Sequence, residues 1–409
     1  MTLGSPPEKD DAMSYETDVN PQVRELALKV REFINTHAIS LEHTLQAGAH
    51  GIDPDVRLQL QAAAREAGVF APTAPIEFGG LGLNHVSQAV ILEESGRSLL
   101  GPTAMNCAAP DEGNILLLDK VTTPAQREQY LAPLARGEVR SSFSMTEPTP
   151  GAGADPDMLT TTATKSANSW VINGNKWFIT GADGAAFSIV MARTDQGATM
   201  FLVNSDNPGM TVKRSLDTLD SAFSGGHGEV EFVNCQVSDD AVLGEVGQGF
   251  KYAQVRLGPA RLTHCMRWLG ASRRAHEVAV AYAVDRPMFG TTLGSLGMAQ
   301  QMIADNEIDI AASRSLIHHA AWVLDQGKPA RKETSIAKTF VAEATYRIVD
   351  RSMQLCGAAG TSGDLPIAQI FRDIRPFRIY DGPSEVHRWS IARRAVRQSE
   401  NNILPGDWS

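Results

Sequence analysis

Apolar residues recur at intervals of three and four over most of the chain, and at intervals of two over one central stretch. The first pattern lays a stripe along one side of an α-helix, and the second sends alternate side chains to opposite faces of a strand. Helical spacing runs through VRELALKVREFI (23–34), VRLQLQAAAREAG (56–68), VSQAVILEESGRSL (86–99) and NILLLD (114–119). Thr123-Pro124 then opens a capped segment with proline in its first turn. Near Ser141 the texture changes. SWVINGNKWFIT (169–180) sets aromatic and β-branched residues on both sides of Asn173-Gly174, which predicts a hairpin there. FSIVMART (187–194), TMFLVN (199–204), GMTVKR (209–214) and GEVEFVNCQV (228–237) follow as short strands between polar turns. After Gly247-Gln248-Gly249 the helical period returns. It carries long amphipathic segments at 261–285, 295–327 and 332–357 and shorter ones at 366–380 and 383–397. The pattern predicts a disordered tail at 1–19, an α-helical domain at 20–140, a β-domain of small sandwich or barrel size at 141–242, and a four-helix bundle at 243–409.

Composition narrows the function classes. With 43% hydrophobic and 21% charged residues the chain is an ordinary globular one. Lys+Arg total 37 against 47 Asp+Glu, a net charge of −10 with no basic run, which argues against nucleic acid or an anionic membrane as main partner. No apolar stretch reaches the roughly 18 residues of a membrane span. Cys107, Cys235, Cys265 and Cys356 are too far apart in sequence for a zinc knuckle or a redox pair. They fit isolated buried thiols, and with an acidic, polar amino-terminal segment they make a cytoplasmic location the expectation.

The glycine-rich loops at 78–85, 151–156 and 356–364 fail the dinucleotide fingerprint in spacing or context, and no phosphate-binding loop, nucleophile elbow or metalloprotease helix motif is present. No metal site is expected. His318-His319 point in different directions on a helix and lack partners at the right spacing, while Met298, Met302 and Ile303 fit a core stripe. Arg351, Arg372, Arg375 and Arg378 form a basic cluster that fits either a solvated face or a phosphate contact. In IYDGPSEVHR (379–388), Pro383 suits a first helical position, Glu385 a first turn and Asp381 an ordinary helix cap.

Taken in order, five segments resemble the acyl-CoA dehydrogenases over nearly the whole chain. SFSMTEPTPGAGADP (142–156) is similar to that family's flavin-contacting FxMTEPGAGSD segment, and NGNKWFITGA (173–182) to its NGxKxWITNG segment. DRPMFG (285–290) resembles its RxxFG segment, QLCGAAG (354–360) its QxxGGxG turn, and IYDGPSEVHR its catalytic IYEGTSxIxR. The chain departs from the pattern at Asp381 for Glu, Pro383 for Thr, Glu385 for Gln, Ala154 for Ser, Phe178 for Trp and Gly297 for Gln, and its TEP loop is two residues longer. NCAAPDEGN (106–114), GGHGEVEF (225–232) and RLGPARLTHCMR (256–267) are similar to a branch that carries Asp-Gly-Pro and handles long, branched or hydroxylated acyl-CoAs.

The resemblance implies the family's α–β–α fold, FAD as cofactor and Asp381 as the base that takes the substrate's α-proton. Some members place the base on the helix holding Arg261, where this chain has Ala260. The resemblance assigns Phe143, Met145, Thr146, Gly153, Ala154, Phe178, Thr180, Arg286, Phe289, Gln354, Gly357, Pro383 and Glu385 to FAD. It assigns Asn106, Arg261 and Gly382 to the acyl-CoA substrate. Arg286 and Gln354 match segments that reach a neighbouring subunit's flavin, which implies at least a homodimer and, by resemblance, a tetramer. Electron-transfer flavoprotein is the implied acceptor. Burial beside flavin and acyl chain is expected to raise the Asp381 pKa towards neutrality. Flavin oxidases and monooxygenases of the nitroalkane oxidase kind share the fold and are the competing enzyme class. A flavin-free scaffold is the competing non-enzyme.

Overall fold

The computed structural model describes residues 20–45 and 52–400, so the expected tail at 1–19 lies outside the described residues. Elements follow the order helical, sheet, helical. The first helices are α1 (Pro21–Phe33), α2 (Pro54–Glu66), α3 (His85–Ser95) and α4 (Asp111–Val121). Asn20 and Asp53 accept backbone N–H groups at the starts of α1 and α2, each with proline in the first turn.

The sheet comprises β1 (Ser141–Ser144), β2 (Thr162–Ser166), β3 (Ser169–Thr180), β4 (Phe187–Thr194), β5 (Gly197–Asn204), β6 (Met210–Ser215), β7 (His227–Ser238) and β8 (Val242–Leu243). Its order is β6-β7-β3-β2-β4-β5-β8, with β1 parallel to β4. The hairpin expected at Asn173-Gly174 is not there. β3 runs unbroken, and the turn sits earlier, at Ala167-Asn168, where Ser166 pairs with Ser169 and Ala167 takes φ 50°. Asn173-Gly174 instead marks a register shift between β3 and β7. The Asn173 side chain accepts the Asn234 N–H at 2.7 Å. A Cβ on Gly174 would stand 2.5 Å from Thr161 Oγ1, so glycine serves close approach rather than a turn.

β4 and β5 are apolar at nearly every position because both their faces are buried. Phe187, Ile189, Met191, Met200 and Leu202 join the core shared with the helices. Val190, Ala192, Phe201 and Val203 join Trp170, Ile172, Val230 and Phe232 in a second core inside the β-domain. A fully buried pair, Lys176 Nζ on Glu147 Oε1 at 2.9 Å, ties β3 to the TEP loop.

The carboxy-terminal part comprises α5 (Gly249–Asp285), the small β9–β10 hairpin (Pro287–Met288, Thr291–Thr292), α6 (Gly297–Asp325), α7 (Arg331–Cys356), α8 (Ile367–Ile374) and α9 (Ser384–Glu400). α7 packs against α5, α6 and α9, and α3 lies against α5. α5 starts at Gly249 and continues through Gly258-Pro259, well before the segment its amphipathic period marks. A strap of residues 375–383 joins α8 to α9. The basic cluster is largely taken up inside the bundle. Arg351 reaches Asp309 Oδ2 at 2.8 Å, Arg378 reaches Glu343 Oε2 at 2.8 Å, and Arg372 donates to Gln369. His318 is half-buried near Glu93 and Arg314, and His319 stacks on Trp322. Among the described residues no group of His, Cys, Asp and Glu could hold a metal ion, and no helix is long and apolar enough to cross a membrane.

Candidate active site

The site is built where the strap crosses α5. Asp381 takes φ 53°, a left-handed conformation that costs a residue with a Cβ about 1–2 kcal/mol. Three helices hold it there. From α5, Arg261 Nε donates to the Asp381 carbonyl at 2.7 Å. From α9, His387 Nε2 lies 3.2 Å from the same oxygen. From α7, the fully buried Lys338 donates to the Phe377 carbonyl at 2.7 Å and the Gly382 carbonyl at 2.9 Å. Gly382 has φ 99°, and a Cβ there would stand 2.7 Å from His387 Nε2, so the Asp-Gly step needs its glycine. Asp381 does not act as the cap of α9. Its carboxylate turns to α5 instead, with Oδ2 3.5 Å from His264 Nε2.

The electrostatics correct the expected direction of the Asp381 pKa. Burial does push it up, but Arg256, Arg261 and Lys338, joined by His264 only where that ring is protonated, hold it below the ordinary value. Burial also pushes His264 down to about 3, so at neutral pH its ring is uncharged and the cations around the carboxylate are Arg256, Arg261 and Lys338. Burial pushes Lys338 down to about 8 and His387 to about 4. An ionised carboxylate among fixed cations can accept a proton, and the same cations can stabilise negative charge that develops beside it.

A cleft open to solvent lies beside His264, lined also by Arg267, Trp268, Phe223, Thr103 and Leu99. Tyr380, next to Asp381, accepts a hydrogen bond from Trp268 Nε1, and its ring centre lies 4.9 Å from that of His264, tilted by 57°. A second cleft of about 360 Å³ shares Thr103, Ala108 and Ala109 with the first and includes Asn106, Arg57 and Arg140. Asn106 is buried, and its amide nitrogen is engaged by the Leu134 and Ala135 carbonyls.

Near the cleft, the ends of β1 and β3 form a shelf. Phe178 is 48% exposed at φ 51° and meets Trp177 edge-on at 4.9 Å. Thr146 accepts the Trp177 N–H at 3.1 Å, and Met145 accepts from Lys176 at 3.1 Å. Thr180 Oγ1 lies 3.0 Å from His227 Nδ1. An exposed aromatic ring fits a flat heteroaromatic group such as a flavin ring. Phe223 joins shelf to cleft, since it lines the cleft and lies 5.5 Å from the His227 ring and 6.2 Å from Tyr380. Phe143 carries the Arg256 guanidinium 4.2 Å from its ring, which places β1 beside the Asp381 cluster.

The structure therefore gathers Asp381, Gly382, Pro383, Arg261 and Phe143 in one place and Met145, Thr146, Phe178 and Thr180 on the adjoining shelf. Of the remaining expected residues, Asn106 is buried beside the second cleft and the others are dispersed over the surface. Gly153 and Ala154 are exposed in the TEP loop, and Glu385 is exposed on the first turn of α9. Arg286 and Phe289, the latter 91% exposed, lie at the end of α5, with Gln354 and Gly357 exposed at the end of α7. Sequence reasoning missed Arg256, His264, Arg267, Lys338 and Tyr380. The spacing of 256, 260, 264 and 268 by fours was the available signal, because polar and aromatic residues occupy an inward face of α5.

Comparison with known proteins agrees with this arrangement. Residues 20–138 match the acyl-CoA dehydrogenase N-terminal domain, 142–235 its middle domain and 247–396 its C-terminal domain. The chain belongs to the acyl-CoA dehydrogenase family. It is 38% identical to "Probable acyl-CoA dehydrogenase FadE2" of Mycobacterium tuberculosis over 86% of this chain and 88% of that protein. Mouse acyl-CoA dehydrogenase family member 10 is 35% identical over 95% of this chain, but this chain spans only 38% of its length. Among solved structures, one from Mycobacterium abscessus described as an acyl-CoA dehydrogenase superposes with TM-score 0.87 at 35% identity, covering 93% of this chain and 99% of that one.

Lys338 gives the first test. Lys338→Met should leave the Phe377 and Gly382 carbonyls bare at a cost of roughly 1–3 kcal/mol each. Amide hydrogen exchange should quicken across residues 377–387 while the β-domain keeps its protection. Unchanged exchange in the strap would show that other contacts hold it.

Proposed function

We propose that this protein is an FAD-dependent acyl-CoA dehydrogenase that desaturates the α,β-bond of an acyl-CoA thioester, with Asp381 as base. The observation that carries this reading is the backbone of Asp381 and Gly382, held by donors from α5, α7 and α9 beside His264 and a cleft that Phe223 joins to the shelf of Phe178, Thr146 and Thr180. Asp381 Oδ takes the α-proton. Arg256, Arg261 and Lys338 supply positive charge where the thioester becomes enolate-like. FAD, when bound, supplies the acceptor for the β-hydride. Thr146, Thr180, Phe178, Met145 and Phe143 would hold its ring, and Gly153 and Ala154 would lie towards its phosphates. Arg286, Phe289, Gln354 and Gly357 are exposed in one subunit and serve the flavin of another, so the active form is at least a dimer and most readily a tetramer. Pro383 and Glu385 border the flavin side of α9, while Gly382, Arg261 and Asn106 border the thioester and acyl side. Electron-transfer flavoprotein is the proposed acceptor. The proposed substrates are long, branched or hydroxylated acyl-CoAs, which a cleft mixing Leu99 and Phe223 with Thr103, His264 and Arg267 can accommodate.

Anaerobic bleaching of bound flavin by a panel of acyl-CoAs tests the reading. Asp381→Asn should bind FAD and acyl-CoA yet lose flavin reduction by several orders of magnitude. Reduction within about tenfold of the parent would assign the base elsewhere.

The shorter base gives a second expectation. Asp381 leaves a methylene of space beside the substrate's α-carbon, and close packing favours filling it with a 2-methyl group. The gain is about 1–2 kcal/mol in transition-state binding relative to a Glu base. Asp381→Glu should shift kcat/KM from a 2-methyl-branched to a straight acyl-CoA of equal length. An unchanged ratio would mean that the strap absorbs the missing methylene.

A further inference from the structure

Beside the base stands a histidine that the reaction as described does not use. His264 lies on α5, one turn beyond Ala260, with its ring 4.9 Å from Tyr380 and 6.0 Å from Phe377. Its side chain is 7% exposed. Nε2 faces Asp381 Oδ2 at 3.5 Å, and Nδ1 lies 3.3 Å from Arg267 Nη2. A guanidinium only donates hydrogen bonds. Nδ1 must therefore be the bare, accepting nitrogen, and in the neutral ring the hydrogen sits on Nε2, aimed at the carboxylate. Arg267 is itself held, since its Nη1 donates to the Cys107 carbonyl at 2.8 Å and lies 3.5 Å from Glu112 Oε2. Thr263 in turn donates to Glu112 Oε2 at 2.9 Å. The chain Glu112–Arg267–His264–Asp381 thus runs from α4 through α5 to the strap and fixes one tautomer.

Resting on the assignment of Asp381 as base, we infer that His264 is a positioning residue that holds the Asp381 carboxylate through Nε2–H, with Arg267 selecting the tautomer that can do so. Asp381 needs such a partner. Its backbone is clamped, but its side chain has no other hydrogen-bond donor within reach among the described residues. A carboxylate one methylene shorter than Glu must hold its oxygen at the substrate's α-carbon within narrow limits. An uncharged donor restrains it without adding a proton that would compete for it. The groups facing the carboxylate and its histidine are Arg256, Arg261 and Arg267 on α5, Glu112 on α4, Lys338 on α7, His387 on α9 and Tyr380 on the strap. Against these, the neutral His264 ring brings its Nε2 within 3.5 Å of a carboxylate oxygen. Loss of that donor leaves the carboxylate more mobile and more easily protonated. The acid limb of the rate profile then moves to higher pH, because activity needs the ionised form.

The test compares two substitutions in the FAD-loaded protein. His264→Gln carries an amide N–H to about the position of Nε2, and His264→Phe keeps the ring's shape without a donor. The expected result is flavin reduction by an acyl-CoA slowed at least tenfold in His264→Phe with KM little changed, and within a few-fold of the parent in His264→Gln. The acid limb should lie at higher pH in the Phe variant than in the Gln variant. If His264 only fills space, Phe will serve as well as Gln and the limbs will coincide, and that result overturns the inference. Should His264→Phe lose its flavin or fail to fold, His264→Asn replaces it, because its amide stops at the level of Nδ1 and should be slow in the same way. Asp381→Asn in the same assay separates the two layers. If that variant still reduces flavin, the base assignment fails. If it is inactive while His264→Phe matches the parent, only the positioning role fails.

Discussion

The site depends on a clamp of backbone carbonyls. Arg261 and His387 on the Asp381 oxygen, and Lys338 on the oxygens of Phe377 and Gly382, draw donors from α5, α9 and α7 onto one strap. Without them, a left-handed aspartate next to a glycine would relax into an ordinary loop. With them, its side chain projects from a fixed backbone towards His264, which lines the cleft. The clamp also explains why a fully buried lysine is tolerated: its ammonium replaces lost water with two carbonyl oxygens and the Phe377 ring at 4.9 Å.

The rest of the fold makes the clamp possible by keeping three helices and a sheet in register. β4 and β5 are buried on both faces, one against the β-domain core and one against the core shared with the helices. The shelf at the ends of β1 and β3 therefore cannot slide relative to α5. Phe223 and Tyr380 complete the link, so the position expected for a hydride acceptor and the position of the base are set by the same packing. The cations around Asp381 then do two things at once. They favour the ionised carboxylate, and in the proposed reaction they would offset charge that develops on a bound thioester.

Much of this was legible in the sequence. β4, β6 and β7 stand where alternating or continuous apolar runs place them, and α9 begins where Pro383 and Glu385 suggest, whereas the helical segment expected at 366–380 stops at Ile374 and gives way to the strap. The Asn173-Gly174 pair misled because its local turn propensity was overridden by the long β3–β7 ladder, in which glycine is needed only to let Thr161 approach. The start of α5 was missed because Gly258-Pro259 signals a break, whereas packing against α3, α4 and α7 carries the helix through it. Arg256, His264 and Lys338 were missed for a different reason. Each is a polar residue on a face that periodicity assigns to core, and its role comes from partners more than a hundred residues away or on another element. The direction of the Asp381 pKa was misjudged on the same ground, since burial is visible as an apolar setting but the opposing cations are assembled only by the fold.

The pH dependence of kcat/KM for flavin reduction by an acyl-CoA, measured anaerobically, tests the account most directly, because its acid limb reports the free protein's base. A carboxylate held below the ordinary Asp value of about 3.9 predicts a flat profile from pH 5 to pH 7, any fall towards pH 8 belonging to Lys338. An acid limb centred between pH 5 and pH 7 that tracks Asp381 would contradict it, showing that burial rather than the clamp's cations governs the base.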